Sequence, residues 1–299
     1  MVISNGGEHL SHNNIDTSRL NTVIANWQTL PITEPPTFVK TFNEGLNHQT
    51  HLISSGHKQY VLKLFSEPNY LAIQSQKLAA SHQLAPEILY VNRTNDIALM
   101  EYINQQTIKH TVDNKNLMAL GNALKDLHLL PKNSVDNTLN NFNLLKYCDL
   151  YLARINSNHT QIKSKHNELL PIIDVFLNDD TVWQVCHNDL VKENCFIMPN
   201  GIKFIDWEYT QINNPWFDLA TLIYSLKLDQ KQTTKFIQAY DQQWQTIINT
   251  PFYFSALISM LWCDTLWHLA QGRSFKPSHL NDKFSDLQNL QDQFNSSSL

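Results

Sequence analysis

Two neighbouring segments concentrate the reactive side chains of this sequence: Val185-Cys-His-Asn-Asp-Leu-Val-Lys-Glu-Asn-Cys-Phe-Ile197 and Ile202-Lys-Phe-Ile-Asp-Trp-Glu-Tyr209. Asp189 is followed five residues later by Asn194, then by a short hairpin, then by Asp206 at the end of an apolar strand. That order suits phosphoryl transfer from ATP. Negative charge spreads over the transferred phosphoryl oxygens in such a reaction, so a protein contributes mainly position and positive charge. Mg2+ keeps several waters and takes only one or two protein oxygens beside the phosphates, so Asn194 and Asp206 make a complete protein set. Asp189 is then free to receive or orient a substrate hydroxyl. His187 reads as a structural residue, not as a base.

Turn chemistry alone would also place Asn and Asp here. Asn200-Gly201 is a strong hairpin signal between Cys195-Phe-Ile-Met198 and Ile202-Lys-Phe-Ile205. Three polar residues in the right order, separated by a hairpin of the right length, favour the chemical reading over three unrelated turns.

The elements that position these groups begin with three antiparallel strands, expected over 37–42, 49–54 and 59–65. The first turn, Asn43-Glu-Gly-Leu-Asn-His48, could lay backbone N–H groups around Gly45 and Asn47 over triphosphate oxygens, although one glycine also suits a plain hairpin. Lys63, inside the apolar run Val61-Leu-Lys-Leu64, would contact the α and β phosphates. Period-two alternation puts Val61, Lys63 and Phe65 on one face and leaves an outward lysine open. A helix over 69–83, strands over 88–91 and 97–100, and a hinge at Glu101-Tyr102-Ile103 follow, with the hinge backbone at Glu101 and Ile103 meeting adenine.

Beyond the hinge, Leu117, Leu120, Leu124 and Leu127 recur at spacings of three and four, predicting an amphipathic helix over 116–128 that Pro131 ends. Helices are also expected over 144–156 and 167–178. After the hairpins, Asn213-Asn-Pro-Trp-Phe-Asp218 opens a helix through Leu228 with Asp218 as its N-cap. The last large helices are expected over 232–248 and 252–272.

Composition narrows the class. The chain of 299 residues can bury a large core in one or two domains. A net charge of -5, with no Lys/Arg cluster, argues against a nucleic-acid partner. Cys148, Cys186, Cys195 and Cys263 lack CxxC spacing, so neither a zinc site nor a disulfide framework is expected, and a reducing cytoplasm fits best. Residues 1–18 are polar, unlike a signal peptide, and are expected to be loosely ordered. Asp264 and His268 interrupt the apolar run from Phe252 to Ala270, so a buried helix is expected there and not membrane insertion.

From Phe38 to Gly272 the chain resembles the choline kinase, thiamine kinase and aminoglycoside phosphotransferase superfamily. The resemblance rests on His187-Asn-Asp-Leu190 with Asn194, and on Ile205-Asp-Trp-Glu-Tyr209 followed by Asn214 and Phe217-Asp218. It looks most like the choline/ethanolamine branch. The resemblance implies an α+β, two-lobed protein-kinase-like fold, with an antiparallel-sheet N-lobe over 1–103 and a mainly helical C-lobe over 104–299. It also implies ATP and Mg2+ as cofactors and a small-molecule alcohol as acceptor. Only about a dozen residues separate Asp206 from Asp218, so the activation segment of protein kinases is not expected.

Two positions depart from the family. The helix acid that pairs with the lysine in protein kinases has no counterpart, and Gln74 and Gln76 stand in that helix. Ser225 lies seven residues after Asp218, where choline kinases often carry Glu. On the substrate side, the resemblance implies that Glu208, Tyr209, Asp264 and Trp267 face the acceptor. Tyr253, Met260, Asp264 and Trp267 share one helical stripe, with Trp262 pointing elsewhere, so Trp267 would line the cavity and Asp264 would give it negative charge. Core packing is an equal reading for Trp267. The acceptor is expected to be a cationic amino alcohol or vitamin, with choline first and ethanolamine or thiamine close. An antibiotic phosphotransferase with a more acidic, open cleft and a non-catalytic nucleotide-binding module are the alternatives.

Overall fold

The computed structural model describes residues 17–42, 48–109, 112–132, 139–155, 159–271 and 277–298. Gly45 and Asn47, expected at the phosphate turn, lie outside the described residues. The chain divides into two compact units, Met1–Ile73 with Glu87–Ile103, and Gln74–Pro86 with Asn104–Leu299.

In the first unit, short runs rich in apolar, β-branched and aromatic residues form β1 (Thr37–Phe42), β2 (Gln49–Ser55), β3 (Lys58–Leu64), β4 (Ile88–Val91) and β5 (Ile97–Glu101). They make one antiparallel sheet in the order β1-β2-β3-β5-β4. Alternation splits β3 between two small cores. Leu62 and Leu64 pack with Ile53, Leu99, Leu20 and Leu30, whereas Val61 and Phe65 pack with Ala98, Met100 and Ile73. Lys63 pairs with Thr50 and Ala98 in the ladder, on the Phe65 side, with its ammonium 5.2 Å from the Phe65 ring centre.

Thr17 and Ser18 were expected to be loosely ordered, but they open a helix, α1 (Thr17–Ala25). Leu20, Val23, Ile24 and Trp27 recur at helical spacing and join the Leu62–Leu64 core, which is the physical reason for the helix. Arg19 fixes α1 by donating to the Phe65 carbonyl (2.8 Å) and the Asp96 carboxylate (3.0 Å). The helix expected over 69–83 is α2 (Tyr70–Ser81). Gln76, in α2, donates to the Pro86 carbonyl at 3.0 Å, so its buried amide has a packing role.

The second unit is mainly helical. Asp113 caps α3 (Asn114–His128), accepting from the Asn116 amide, and the four predicted leucines of α3 are buried. Further helices are α4 (Leu144–Leu152), α5 (His159–Leu177), α6 (Trp216–Ser225), α7 (Gln230–Tyr240), α8 (Pro251–Ala270) and α9 (Pro277–Ser297). Gly121 lets α3 approach α7, since a Cβ there would lie 2.7 Å from the Phe236 carbonyl oxygen and 2.9 Å from the Ala239 Cβ. Helix α8 is apolar over most of its surface, Asp264 and His268 near its end excepted, because α4, α5, α6 and α9 all pack on it. Among the described residues no helix is long and apolar enough to cross a membrane.

Four helix expectations change. Helix α5 starts at His159, eight residues earlier than expected, and carries Pro171 inside; its polar first turns hide buried Ile162 and His166. The helix expected over 232–248 is α7 plus a separate 3-10 turn, Gln242–Ile247, because Asp241 is extended (φ -153°) and caps that turn by accepting from the Gln243 amide. Helix α6 begins at Trp216 with Pro215 at its N-cap, so Asp218 is not the cap. Helix α9 was not expected at all. Four short strands complete the unit: β6 (Gln184–Cys186) pairs with β9 (Gln211–Asn213), as β7 (Cys195–Met198) pairs with β8 (Gly201–Phe204) through the Asn-Gly turn.

Candidate active site

The chain leaves β6 and turns sharply at Asn188, which holds a left-handed conformation (φ 62°). Such a conformation in a residue with a Cβ needs local compensation. Here the compensation is Asp218, fully buried in the first turn of α6, whose carboxylate accepts from the backbone N–H groups of His187 (2.7 Å) and Asn188 (2.8 Å). His128 adds a third bond, its Nε2 donating to Asp218 at 3.1 Å while its Nδ1 accepts from the Tyr240 hydroxyl at 2.8 Å. Burial pushes Tyr240 well above its usual range, consistent with a hydroxyl that keeps its proton.

The Asn188 side chain closes the turn. Its amide nitrogen donates to the Tyr209 carbonyl at 3.0 Å, and its oxygen accepts from Asn213 at 2.7 Å. The buried trio His128, Cys186 and Asp218 brings three ligand-type atoms within 4.8 Å of one another. It does not read as a metal centre. Burial pushes the Cys186 thiol far up, so it stays protonated and donates to the Asn213 carbonyl at 3.5 Å.

This frame presents Asp189. Asn194, at the end of the 3-10 turn Lys192–Asn194, donates through Nδ2 to the Asp189 carbonyl (2.8 Å) and carboxylate (3.2 Å). The same turn is held by Ser225, whose hydroxyl accepts from the Lys192 amide at 2.8 Å. Ser225 therefore positions the loop. The Asn194 carbonyl accepts from the Ile205 amide at 3.0 Å, tying the loop to the segment that carries Asp206. Asp206 is also left-handed (φ 68°, ψ 60°), immediately before the 3-10 turn Trp207–Tyr209. His187 donates from Nε2 to the Ile205 carbonyl at 2.9 Å and packs 4.9 Å from the Trp207 ring, in agreement with a structural role.

Burial comes first among the influences that push the Asp189 carboxyl well above its usual range; Asp206, Asp264 and Glu208 add to it, against one lowering bond from Asn194. The fit to a divalent cation follows from these contacts. Asn194 commits its amide nitrogen to Asp189 and so offers Oδ1, and with the Asp206 carboxylate this makes a pair of hard oxygen donors. A bound cation would also relieve the repulsion among Asp189, Asp206 and Glu208. The residues present fit Mg2+.

Asp189 opens onto a cavity of about 1220 Å³. Tyr209, Asp264 and Trp267 line it, as do Tyr253 and Met260 of the predicted α8 stripe. Asn194, Asp206 and Glu208 are not among its lining residues. Trp262 is fully buried and donates to His166 at 2.9 Å, away from the cavity. Asp264 does not present a bare charge: it pairs with His268 (3.2 Å) and with Lys283 of α9. Burial opposes its ionisation, but the hydrogen bond from His268 and the charge of Lys283 hold its carboxyl below the usual range. Lys63, Glu101 and Ile103 belong to the first unit. There the Glu101 amide closes a bond to the Glu87 carbonyl (2.9 Å), and Ile103 is buried.

Sequence reading missed the anchoring by Asp218 and Asn188 and the cavity residues of α9. The signals were an acid inside the apolar run 216–223 and the spacing of Phe284, Leu287, Leu290 and Phe294.

Comparison with known proteins gives the wider setting. Protein LicA of Haemophilus influenzae is 24% identical over 218 residues, which cover 70% of this chain but only 64% of that relative. The crystal structure of choline kinase from Cryptosporidium parvum superposes with a TM-score of 0.76 at 15% identity, over 93% of this chain and 97% of that one. For choline kinase LicA from Streptococcus pneumoniae the TM-score is 0.71 at 19% identity, over 93% and 99% of the respective chains. At these identities the likeness is one of fold: an antiparallel sheet followed by a helical region. The model of the phosphotransferase enzyme family (APH) matches residues 39–253, from β1 into the start of α8. A match over that much of the sequence means that the chain belongs to the phosphotransferase enzyme family.

Proposed function

We propose that this chain is a Mg-ATP-dependent kinase that phosphorylates the hydroxyl of a small cationic amino alcohol, with choline first and ethanolamine or thiamine next. One observation carries the reading: Asp189, braced by Asn194, faces a large cavity whose wall combines aromatic rings with acids. Aromatic faces and carboxylates are what a desolvated quaternary or primary ammonium needs. The naming of similar folds as choline kinases supports the same choice.

In this mechanism Lys63 contacts the α and β phosphates, and the backbone at Glu101 and Ile103 meets adenine. Asn194 and Asp206 hold Mg2+, which supplies positive charge to the phosphates. Asp189 orients the acceptor hydroxyl and takes its proton as the oxygen bonds to the γ-phosphorus and the bond to the ADP oxygen breaks. Its raised proton affinity makes it a stronger base than an exposed carboxylate. Tyr209, Asp264 and Trp267 line the acceptor's side of the cavity, and Glu208 adds negative charge near Asp189.

An aminoglycoside phosphotransferase is the second reading, because a solved aminoglycoside phosphotransferase shares this fold and the cavity also holds Asp282 and Asp286. The abundance of rings around the cavity favours the small ammonium. ADP release with choline, ethanolamine, thiamine, homoserine and aminoglycosides decides it. Turnover is expected with choline or its near relatives; turnover confined to aminoglycosides overturns the reading.

A further inference from the structure

Lys283 is a cation inside the cavity that the proposed acceptor would enter. It comes from α9, beyond the stretch that the family model matches, and its ammonium pairs with the Asp264 carboxylate. The same ammonium lies 5.8 Å from the centre of the Tyr224 ring. Tyr224 is itself fixed by donating from its hydroxyl to Asp286 at 2.7 Å. An acid on one side and an aromatic face on the other are the two elements that recognise an ammonium group.

We propose that Lys283 is a resident competitor: it occupies the ammonium subsite formed by Asp264 and Tyr224, and a cationic acceptor binds by displacing it. This rests on the cationic-acceptor reading above. Displacement is physically accessible. The Asp264 side chain is 36% exposed and that of Lys283 15%, so water reaches the acid side of the pair and weakens its hold on the ammonium. Lysine has a long flexible stem, and Asp282 and Asp286, which also line the cavity, provide other counter-charges for it on the same helix. A site open for only about a tenth of the time binds its ligand about ten-fold more weakly than it would if always open. Lys283 therefore sets acceptor affinity and selects for cations that outcompete a primary ammonium.

The test uses the full chain with Lys283→Gln, which removes the competitor, and Lys283→Arg, which keeps a cation. Binding of tetramethylammonium is followed by broadening of its methyl resonance, with sodium chloride matching the ionic strength. Lys283→Gln is expected to bind it about five- to ten-fold more tightly than wild type, following the open fraction. Lys283→Arg is expected to stay near wild type, and the choline KM of Lys283→Gln should fall while its ATP KM does not. Equal or weaker binding by Lys283→Gln, or no binding by either protein, overturns the proposal. Choline turnover without a gain in Lys283→Gln sinks the lysine competitor alone. A gain in tetramethylammonium binding with no turnover of any cationic alcohol sinks the substrate reading alone.

Discussion

Replacing Asp218 with Asn tests whether the reactive loop is held by one buried carboxylate. Asp218 is fully buried and accepts from two backbone amides, at 2.7 and 2.8 Å, and from His128 at 3.1 Å. Asparagine has nearly the same shape but keeps one accepting oxygen. If that oxygen serves Asn188, the new amide group faces the N–H of His187 and the Nε2 proton of His128. Each buried donor left without an acceptor costs about 1–3 kcal/mol, so with two donors orphaned a loss of about 2–6 kcal/mol is expected. Alanine would orphan all three donors and take a large part of the roughly 5–15 kcal/mol that a protein of this kind has available. Urea unfolding followed by tryptophan fluorescence reads the relevant unit, because Trp27 is the only one of the seven tryptophans outside it. Turnover should drop as well, since a displacement of about 1 Å at Asp189 costs on the order of 100-fold. A variant that unfolds at the wild-type urea concentration with turnover within two-fold of wild type would refute the anchoring role.

Three further outcomes follow from individual contacts. Asn194→Ala removes a proposed metal ligand and should raise the Mg2+ concentration for half-maximal turnover by at least about ten-fold, because loss of even an outer partner of a metal ligand costs about 10–100-fold; an unchanged Mg2+ dependence removes Asn194 from that role. Trp267→Ala should raise the acceptor KM about 2- to 30-fold, the equivalent of about 0.5–2 kcal/mol of cation–π attraction, while the ATP KM stays put. Equal effects on both substrates, or none, would return Trp267 to the core. In the first unit, burial opposes ionisation of Asp96, but Thr94, Asn92 and Arg19 hold its carboxyl below the usual range. Its stabilising contribution is therefore present above the ordinary carboxylate pKa and is lost as pH falls through the depressed folded value. Melting temperature measured from about pH 5 to pH 2 should fall more steeply for wild type than for Asp96→Asn; parallel curves would contradict the assignment.

The sequence was most legible where local chemistry and long-range packing ask for the same residues. The Asn200-Gly201 hairpin, the leucines of α3 and the strands around Lys63 are of this kind, since alternation or helical spacing alone places them. Asp218 shows the opposite case. Its position after Asn213-Asn-Pro215 matches a helix cap, but Pro215 already opens α6, and the carboxylate is used 30 and 31 residues away in sequence, on Asn188 and His187. A side chain that serves distant backbone leaves no periodic trace. Helix α9 left a weak trace, because Phe284, Leu287, Leu290 and Phe294 are diluted by Asn, Gln and Asp. Missing it hid Lys283, so Asp264 read as an available charge when it is already paired.

The most direct test of the proposed chemistry is Asp189→Ala, assayed for Mg-dependent ADP release with choline and, in parallel, for ATP binding by calorimetry. Loss of an acid–base group costs about 100- to 10,000-fold in rate, so turnover should fall by that factor while the ATP dissociation constant remains near wild type. Turnover equal to wild type at unchanged ATP affinity would contradict the placement of the reaction at Asp189.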